Sequence, residues 1–156
     1  MKIRAAHVLA VEDHARRGYP HEVCGVLVGQ RAAEVTVEAV IPVTNREREA
    51  PRVRYQIAPE DLLRIQRESR ESRQDIVGFY HSHPDHPARP SETDRRMAAE
   101  GISDGVVHLV VSVDAAGQAV STPWVFRDAT QAFAEEPLAV VGRLREQEED
   151  GCRSKS

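Results

Sequence analysis

An α+β fold, with a mixed β-sheet flanked by helices, is the architecture that this sequence predicts. Three observations lead to it: apolar runs of strand length recur along the chain, helix-period segments interrupt them, and the two do not alternate strictly as a regular βαβ array requires. With 156 residues, 40% of them hydrophobic, the chain suits one compact domain that buries roughly 68–70% of its unfolded surface. That domain is expected over residues 1–142. The remaining 143–156 are charged, lack an apolar face and are expected to fray.

Taken in order, residues 4–17 place Ala5, Val8, Leu9, Glu12 and Ala15 at helical spacing, and the pattern stops at Gly18 and Pro20. CGVLVG (24–29) is a short apolar run between glycines, and AEVTVEAVIPV (33–43) alternates and is rich in β-branched residues. Together they predict a hairpin of buried strands. NREREAPRVR (45–54) is a charged surface loop, and YQI (55–57) is expected to be a brief strand. Pro59 suits a first helical position, so PEDLLRIQRESRESRQ (59–74) predicts a charged, solvent-facing helix. DIVGFYHSH (75–83) is a third buried strand with histidines at its end. A helix from Ser91 to Ala99, a strand VVHLVVSVD (106–114) and a last strand AVSTPWVFR (119–127) complete the pattern.

A net charge of -4 gives no basic stripe for phosphates, so no nucleic-acid partner is expected. No apolar run approaches the ~18 residues of a membrane span. The opening MKIRAAHVLAVEDHARRG imitates a signal peptide, but its apolar run is short, contains a histidine and meets Glu12 and Asp13, so it is assigned to the fold. Two cysteines, Cys24 and Cys152, do not make a disulfide framework, and a cytoplasmic location is expected.

The chemistry concentrates in HSHPDHPARPSETD, residues 81–94. On a strand, residues two apart share a face, so His81 and His83 present two imidazoles side by side. Three prolines then stiffen a turn into a helix whose first turn carries Ser91 and Asp94. Two histidines and an aspartate supply three ligands of the kind Zn²⁺ accepts, with a fourth position open, which is the catalytic pattern. Activating water there requires a nearby base that is not itself a ligand. Glu22, in PHEVCGVLVG at the mouth of an apolar strand, is the best candidate. Plainer readings stand beside these. Ser91 and Asp94 fit an N-terminal capping pattern, and His7, His14, His21, His86 and His108 read as satisfied polar residues. Cys24 reads as a small core residue, and Ser82 lacks the elbow of a serine hydrolase.

HSHPDHPARPSETD fits H-x-H-x(7)-S-x-x-D, and with the upstream PHEVCGVLVG, the VTN after the second strand, Y-x-I-x-P and VGFYHSHP it resembles the JAMM (MPN+) metalloproteases. The likeness runs over most of the chain. It implies a partly curled sheet of cytidine-deaminase-like architecture, with one Zn²⁺ per chain bound by His81, His83 and Asp94. It further implies that Glu22 holds and deprotonates water and that Ser91 donates to the tetrahedral oxyanion. The short loops resemble compact bacterial members, which implies as partner and substrate a ubiquitin-like sulfur carrier protein of β-grasp fold. Such a carrier would be cut after its C-terminal Gly-Gly or freed of an amino acid such as cysteine. A zinc hydrolase acting on another tail or a small amide, and a non-catalytic scaffold, are the alternatives. The oligomeric state stays open, a homodimer included.

Overall fold

The computed structural model describes residues 1–101 and 104–142; the tail expected over 143–156, with Cys152, lies outside them. In chain order the elements are β1 (Lys2–Arg4), α1 (Ala5–Gly18), β2 (Cys24–Arg31), β3 (Val35–Val43), α2 (Pro59–Glu71), β4 (Asp75–Pro84), α3 (Glu92–Glu100), β5 (Val107–Val113), β6 (Ala119–Arg127), β7 (Ala132–Glu135) and β8 (Ala139–Val141). The eight strands form one sheet in the order β7-β6-β5-β4-β2-β3-β1-β8. Pairing is mixed: β4 with β5, β1 with β3 and β1 with β8 are parallel, while β2 runs antiparallel to both β3 and β4. Among the described residues no helix is long and apolar enough to cross a membrane.

Each face of the sheet has its own apolar cluster. Val11 and Ala15 of α1 pack with Ile3, Leu27, Val37, Tyr80 and Leu109 on one face. On the other, Ile65 of α2 packs with Cys24, Val26, Val28 and Val43, flanked by Tyr55, Ile57 and Phe79. Full burial of Ile65 contributes about 1.5–3 kcal/mol and is what seats an otherwise charged helix. The core stripe of α1 differs from the expected one: Val11 is fully buried whereas Leu9 is 38% exposed, and Glu12 instead accepts a hydrogen bond from Ser121 Oγ at 3.0 Å.

Two features of β4 aim the histidines. Its register against β2 shifts between Leu27 and Val28, leaving one extra residue in β4 between Ile76 and Gly78. Hence Ile76 and Phe79 belong to the α2 face while Val77 and Tyr80 belong to the α1 face, as a one-residue slip requires. Beyond the bulge, alternation resumes and sends His81 and His83 to the same side. Tyr80 on the opposite face lies so close to β2 that a Cβ on Gly25 would stand 2.1 Å from its ring, so only glycine fits there.

Three expectations need correction. Tyr55–Ile57 is extended but joins no strand, because both main-chain groups of Gln56 are taken up by the loop before it, through Asn45 Oδ1 at 3.0 Å and Arg46 N at 2.8 Å. The chain also begins with a short strand ahead of α1, and two more strands follow β6. These are three or four residues long, and their exposed or mixed side chains leave no periodic trace.

Candidate metal centre

His81 and His83 stand at the end of β4 with their Nε2 atoms 3.0 Å apart. Asp94, in the first turn of α3, reaches back so that Oδ2 lies 3.4 Å from His81 Nε2 and 3.2 Å from His83 Nε2. The same oxygen accepts hydrogen bonds from Ser91 N at 2.7 Å and Ser91 Oγ at 2.8 Å. Ser91 Oγ in turn accepts from Asp94 N at 3.1 Å, completing a capping box. The cap therefore involves the serine side chain itself, and it fixes the carboxylate that faces the histidines. On the outer sides of the rings, His83 Nδ1 lies 3.1 Å from Pro87 O, and His81 stacks on Tyr55 with centroids 4.6 Å apart at 22°. Donation from His83 Nδ1 to that carbonyl leaves its Nε2 lone pair toward the cluster.

These residues suit a metal ion. Ligands at 2.0–2.1 Å around a tetrahedral ion are separated by ~3.3 Å, and the three donor pairs here span 3.0–3.4 Å. Three electron-pair donors so close in a buried place need positive charge among them. Burial pushes the Asp94 carboxyl up, but hydrogen bonds from His81, His83 and Ser91 hold it well below the usual carboxylate range. His81, fully enclosed, is lowered by burial, which keeps a neutral imidazole. Burial acts likewise on His83, yet the Asp94 carboxylate beside it outweighs this and raises it.

Glu22 is 6% exposed. Burial raises its carboxyl to about 8, with His83 opposing and Asp94 adding to the shift. Its main chain is held on both sides: N–H donates to Pro51 O at 2.7 Å, and its carbonyl accepts from Asn45 Nδ2 at 3.0 Å. The next residue is bound to the histidine strand, with Val23 N donating to Ser82 Oγ at 2.9 Å and Ser82 N donating to Val23 O at 3.0 Å. Ser82, placed between the histidines without a chemical role, thus holds the Glu22 segment against β4. Asn45 is a second positioning residue that sequence reasoning did not single out; its signal was the VTN triplet. Glu22, His83 and Ser91 line one cavity of about 440 Å³, together with Arg54, His86 and Arg89.

The remaining histidines and cysteine divide. His14 Nδ1 meets Tyr80 OH at 2.8 Å and is satisfied as expected. His7 Nδ1 and His108 Nε2 are buried and lack a hydrogen-bond partner among the described residues, contrary to expectation. His86 is exposed and lines the cavity of Glu22. Cys24 is fully buried, and burial pushes its thiol up to about 12, as an unreactive core residue requires.

Comparison with known proteins places the chain among relatives. The family described as prokaryotic homologs of the JAB domain matches residues 4–127. A desampylase of Haloferax volcanii is 40% identical over 130 residues, covering 79% of this chain and 88% of the relative. A CysO-cysteine peptidase of Mycobacterium tuberculosis is 36% identical over 139 residues, covering 89% and 90%. Among solved structures, a protein from Desulfitobacterium hafniense superposes with a TM-score of 0.77 at 26% identity, covering 92% of this chain and 94% of that one. A JAB1/MPN domain protein from Archaeoglobus fulgidus shares the fold, with a TM-score of 0.55 at 18% identity over 91% of this chain and 100% of that one.

Proposed function

The chain belongs to the family of prokaryotic JAB-domain homologs, and from that premise we propose that it is a zinc-dependent metallopeptidase. Its reaction is hydrolysis of the peptide or isopeptide bond after the C-terminal Gly-Gly of a ubiquitin-like sulfur carrier protein, with release of an attached amino acid such as cysteine. The observation that carries this reading is the convergence of His81 Nε2, His83 Nε2 and Asp94 Oδ2 within 3.4 Å, beside a cavity that Glu22 also lines. The two relatives named desampylase and CysO-cysteine peptidase support a substrate of this class.

His81, His83 and Asp94 would hold the ion, one per chain. When bound, it supplies Lewis-acid activation of water at neutral pH. Glu22 takes one proton from the attacking water, whose oxygen joins the glycine carbonyl carbon. As the C–N bond breaks, Glu22 passes that proton to the departing nitrogen, and the second water proton is lost when the new carboxyl ionises. A carboxyl raised toward neutrality is poised for both transfers. Ser91 Oγ, which donates to Asp94 Oδ2 at 2.8 Å, turns to donate to the carbonyl oxygen as negative charge develops on it.

The carrier tail lies extended along Arg54–Ile57. Gln56 has its main-chain groups committed to Asn45 and Arg46, so those of Tyr55, pointing the other way in an extended segment, are the ones placed for an added strand. Glycines at the end of the tail allow the close backbone approach. The test is elemental analysis of wild type and Glu22→Gln, with cleavage of a C-terminally extended sulfur carrier assayed in parallel. Zinc near one per chain in both, with cutting by wild type only, is the expected result. Absence of zinc after reconstitution overturns the ligand set, and zinc without cutting overturns the substrate.

A further inference from the structure

Three cavities meet beside the candidate centre, and their walls differ. The first, about 440 Å³, holds Glu22, His83 and Ser91, and its other ionisable walls are Arg54, His86 and Arg89. The second and third, about 350 and 240 Å³, lie between Tyr55–Gln56 and the α3 residues Asp94 and Met97. The second adjoins the first through Val53, Arg54 and Thr93, and the third adjoins the second through Tyr55, Gln56, Asp94 and Met97. Glu22 lines the first of these three and neither of the others.

That asymmetry assigns the two sides of the scissile bond. The group returning a proton to the leaving nitrogen must lie within hydrogen-bond reach of it. If Glu22 is that group, the leaving residue departs into the first cavity, and the carrier tail fills the other two. Apart from Glu22 and the candidate ligand His83, the ionisable side chains of the first cavity are two guanidiniums and the imidazole of His86. Neither Arg54 nor Arg89 makes an ion pair among the described residues. Arg89 is also presented by an anchored loop: the preceding carbonyl, Ala88 O, accepts from Trp124 Nε1 at 3.0 Å, and Arg89 N donates to Pro87 O at 2.8 Å. Two guanidiniums without an ion pair, Arg89 in the space left for the departing residue and Arg54 where that space meets the second cavity, match a carboxylate, the anion they bind in bidentate fashion.

Resting on the proposed peptidase reading, we infer that Arg54 and Arg89 form a carboxylate subsite for the leaving residue. The chain then selects carriers that end in one amino acid with a free α-carboxylate. A carrier joined through a lysine side chain offers no carboxylate beside the departing nitrogen and is disfavoured.

The experiment uses two probes that differ by one group: a ubiquitin-like sulfur carrier protein extended after its C-terminal Gly-Gly by cysteine, and the same protein ending in cysteinamide. Binding to the Glu22→Gln protein is measured by calorimetry and cleavage is measured with wild type. The carboxylate probe is expected to bind about tenfold more tightly, the lower end for a charge-assisted hydrogen bond on exposed side chains. In the background of Glu22→Gln, adding Arg54→Gln and Arg89→Gln together brings the ratio close to one, while adding Arg64→Gln, on the exposed face of α2, leaves it intact. Equal binding of the two probes, or a preference that survives the double arginine substitution, overturns the subsite. Because binding is read on Glu22→Gln without turnover, a preference seen there while wild type cuts neither probe refutes the peptidase reading and leaves the subsite standing.

Discussion

Replacing Glu22 by Gln is expected to stabilise the metal-free protein at neutral pH while abolishing its activity. The residue is 6% exposed, and burial moves its carboxyl from an ordinary value of 4.5 to about 8. Below pH ~4.5 it is protonated in both folded and unfolded chains and costs nothing. As pH rises toward 8 the folded state keeps a proton that the unfolded state has released, so stability falls with pH. At 1.36 kcal/mol per unit, the loss reaches on the order of 3 kcal/mol at pH 7. Gln keeps the size and cannot titrate. Any cost of burying its amide is independent of pH, and the Asp94 contribution is common to both proteins, so it cancels in the difference. Chelator-treated wild type and Glu22→Gln should therefore show urea midpoints that diverge from pH 5 to pH 8, with the variant gaining. Zinc should narrow the gap, since a cation beside Glu22 favours its ionised form. An equal difference at both pH values would mean that Glu22 is not buried as described, and the electrostatic case for it as base would go with it.

Substitutions at His83, Ser91, Arg46 and Arg48 probe the rest of the site. His83→Ala should drop zinc content from about one per chain to a small fraction, with a metal-dependent stabilisation below the ~2.7 kcal/mol a ligand at 100 times its Kd confers; elemental analysis and unfolding with and without zinc read this. Ser91→Ala should cost about 1 kcal/mol of stability through the lost cap and roughly 10²–10³ in kcat. Ser91→Thr should recover the stability, and a kcat that stays near wild type in Ser91→Ala would refute the donor role. Charge reversal at Arg46 and Arg48, in the loop that Asn45 fastens to Gln56, should change carrier affinity and leave zinc content alone. Unchanged affinity in a titration with the carrier would remove that loop from the binding surface.

How much of this could be read from residue order depends on the range of the interaction involved. The H-x-H pair was legible because strand alternation alone puts i and i+2 on one face, and the Ser91–Asp94 cap was legible because it closes within one helical turn. The long apolar strands and α2 with Pro59 at its start were legible for the same local reason. What escaped depends on partners far along the chain. Leu9 and Val11 are equally apolar, and only packing against the sheet decides which is buried. The three-residue strands β1 and β8 exist because they pair with each other, Lys2 against Ala139 through Arg4 against Val141, across almost the whole chain.

The site follows the same division. Glu22 sits in an apolar context that flagged it, but nothing local says that Ser82, 59 residues along, will grip Val23, or that Asn45 will carry Glu22 on one side and Gln56 on the other. These contacts hold the base segment, the histidine strand and the extended Tyr55 segment as one body, with Tyr55 stacked on His81. A site assembled this way depends on the loop 45–56 as much as on His81, His83 and Asp94. Asn45→Ala removes hydrogen bonds to Glu22 O, Arg54 O, Glu47 N and Gln56 N in one change. At about 1 kcal/mol net each, that releases the loop from Glu22 while leaving His81, His83 and Asp94 untouched, so it should lower kcat far more than zinc occupancy. A variant that lost both in proportion would show that the loop supports the ligands themselves and not only the base.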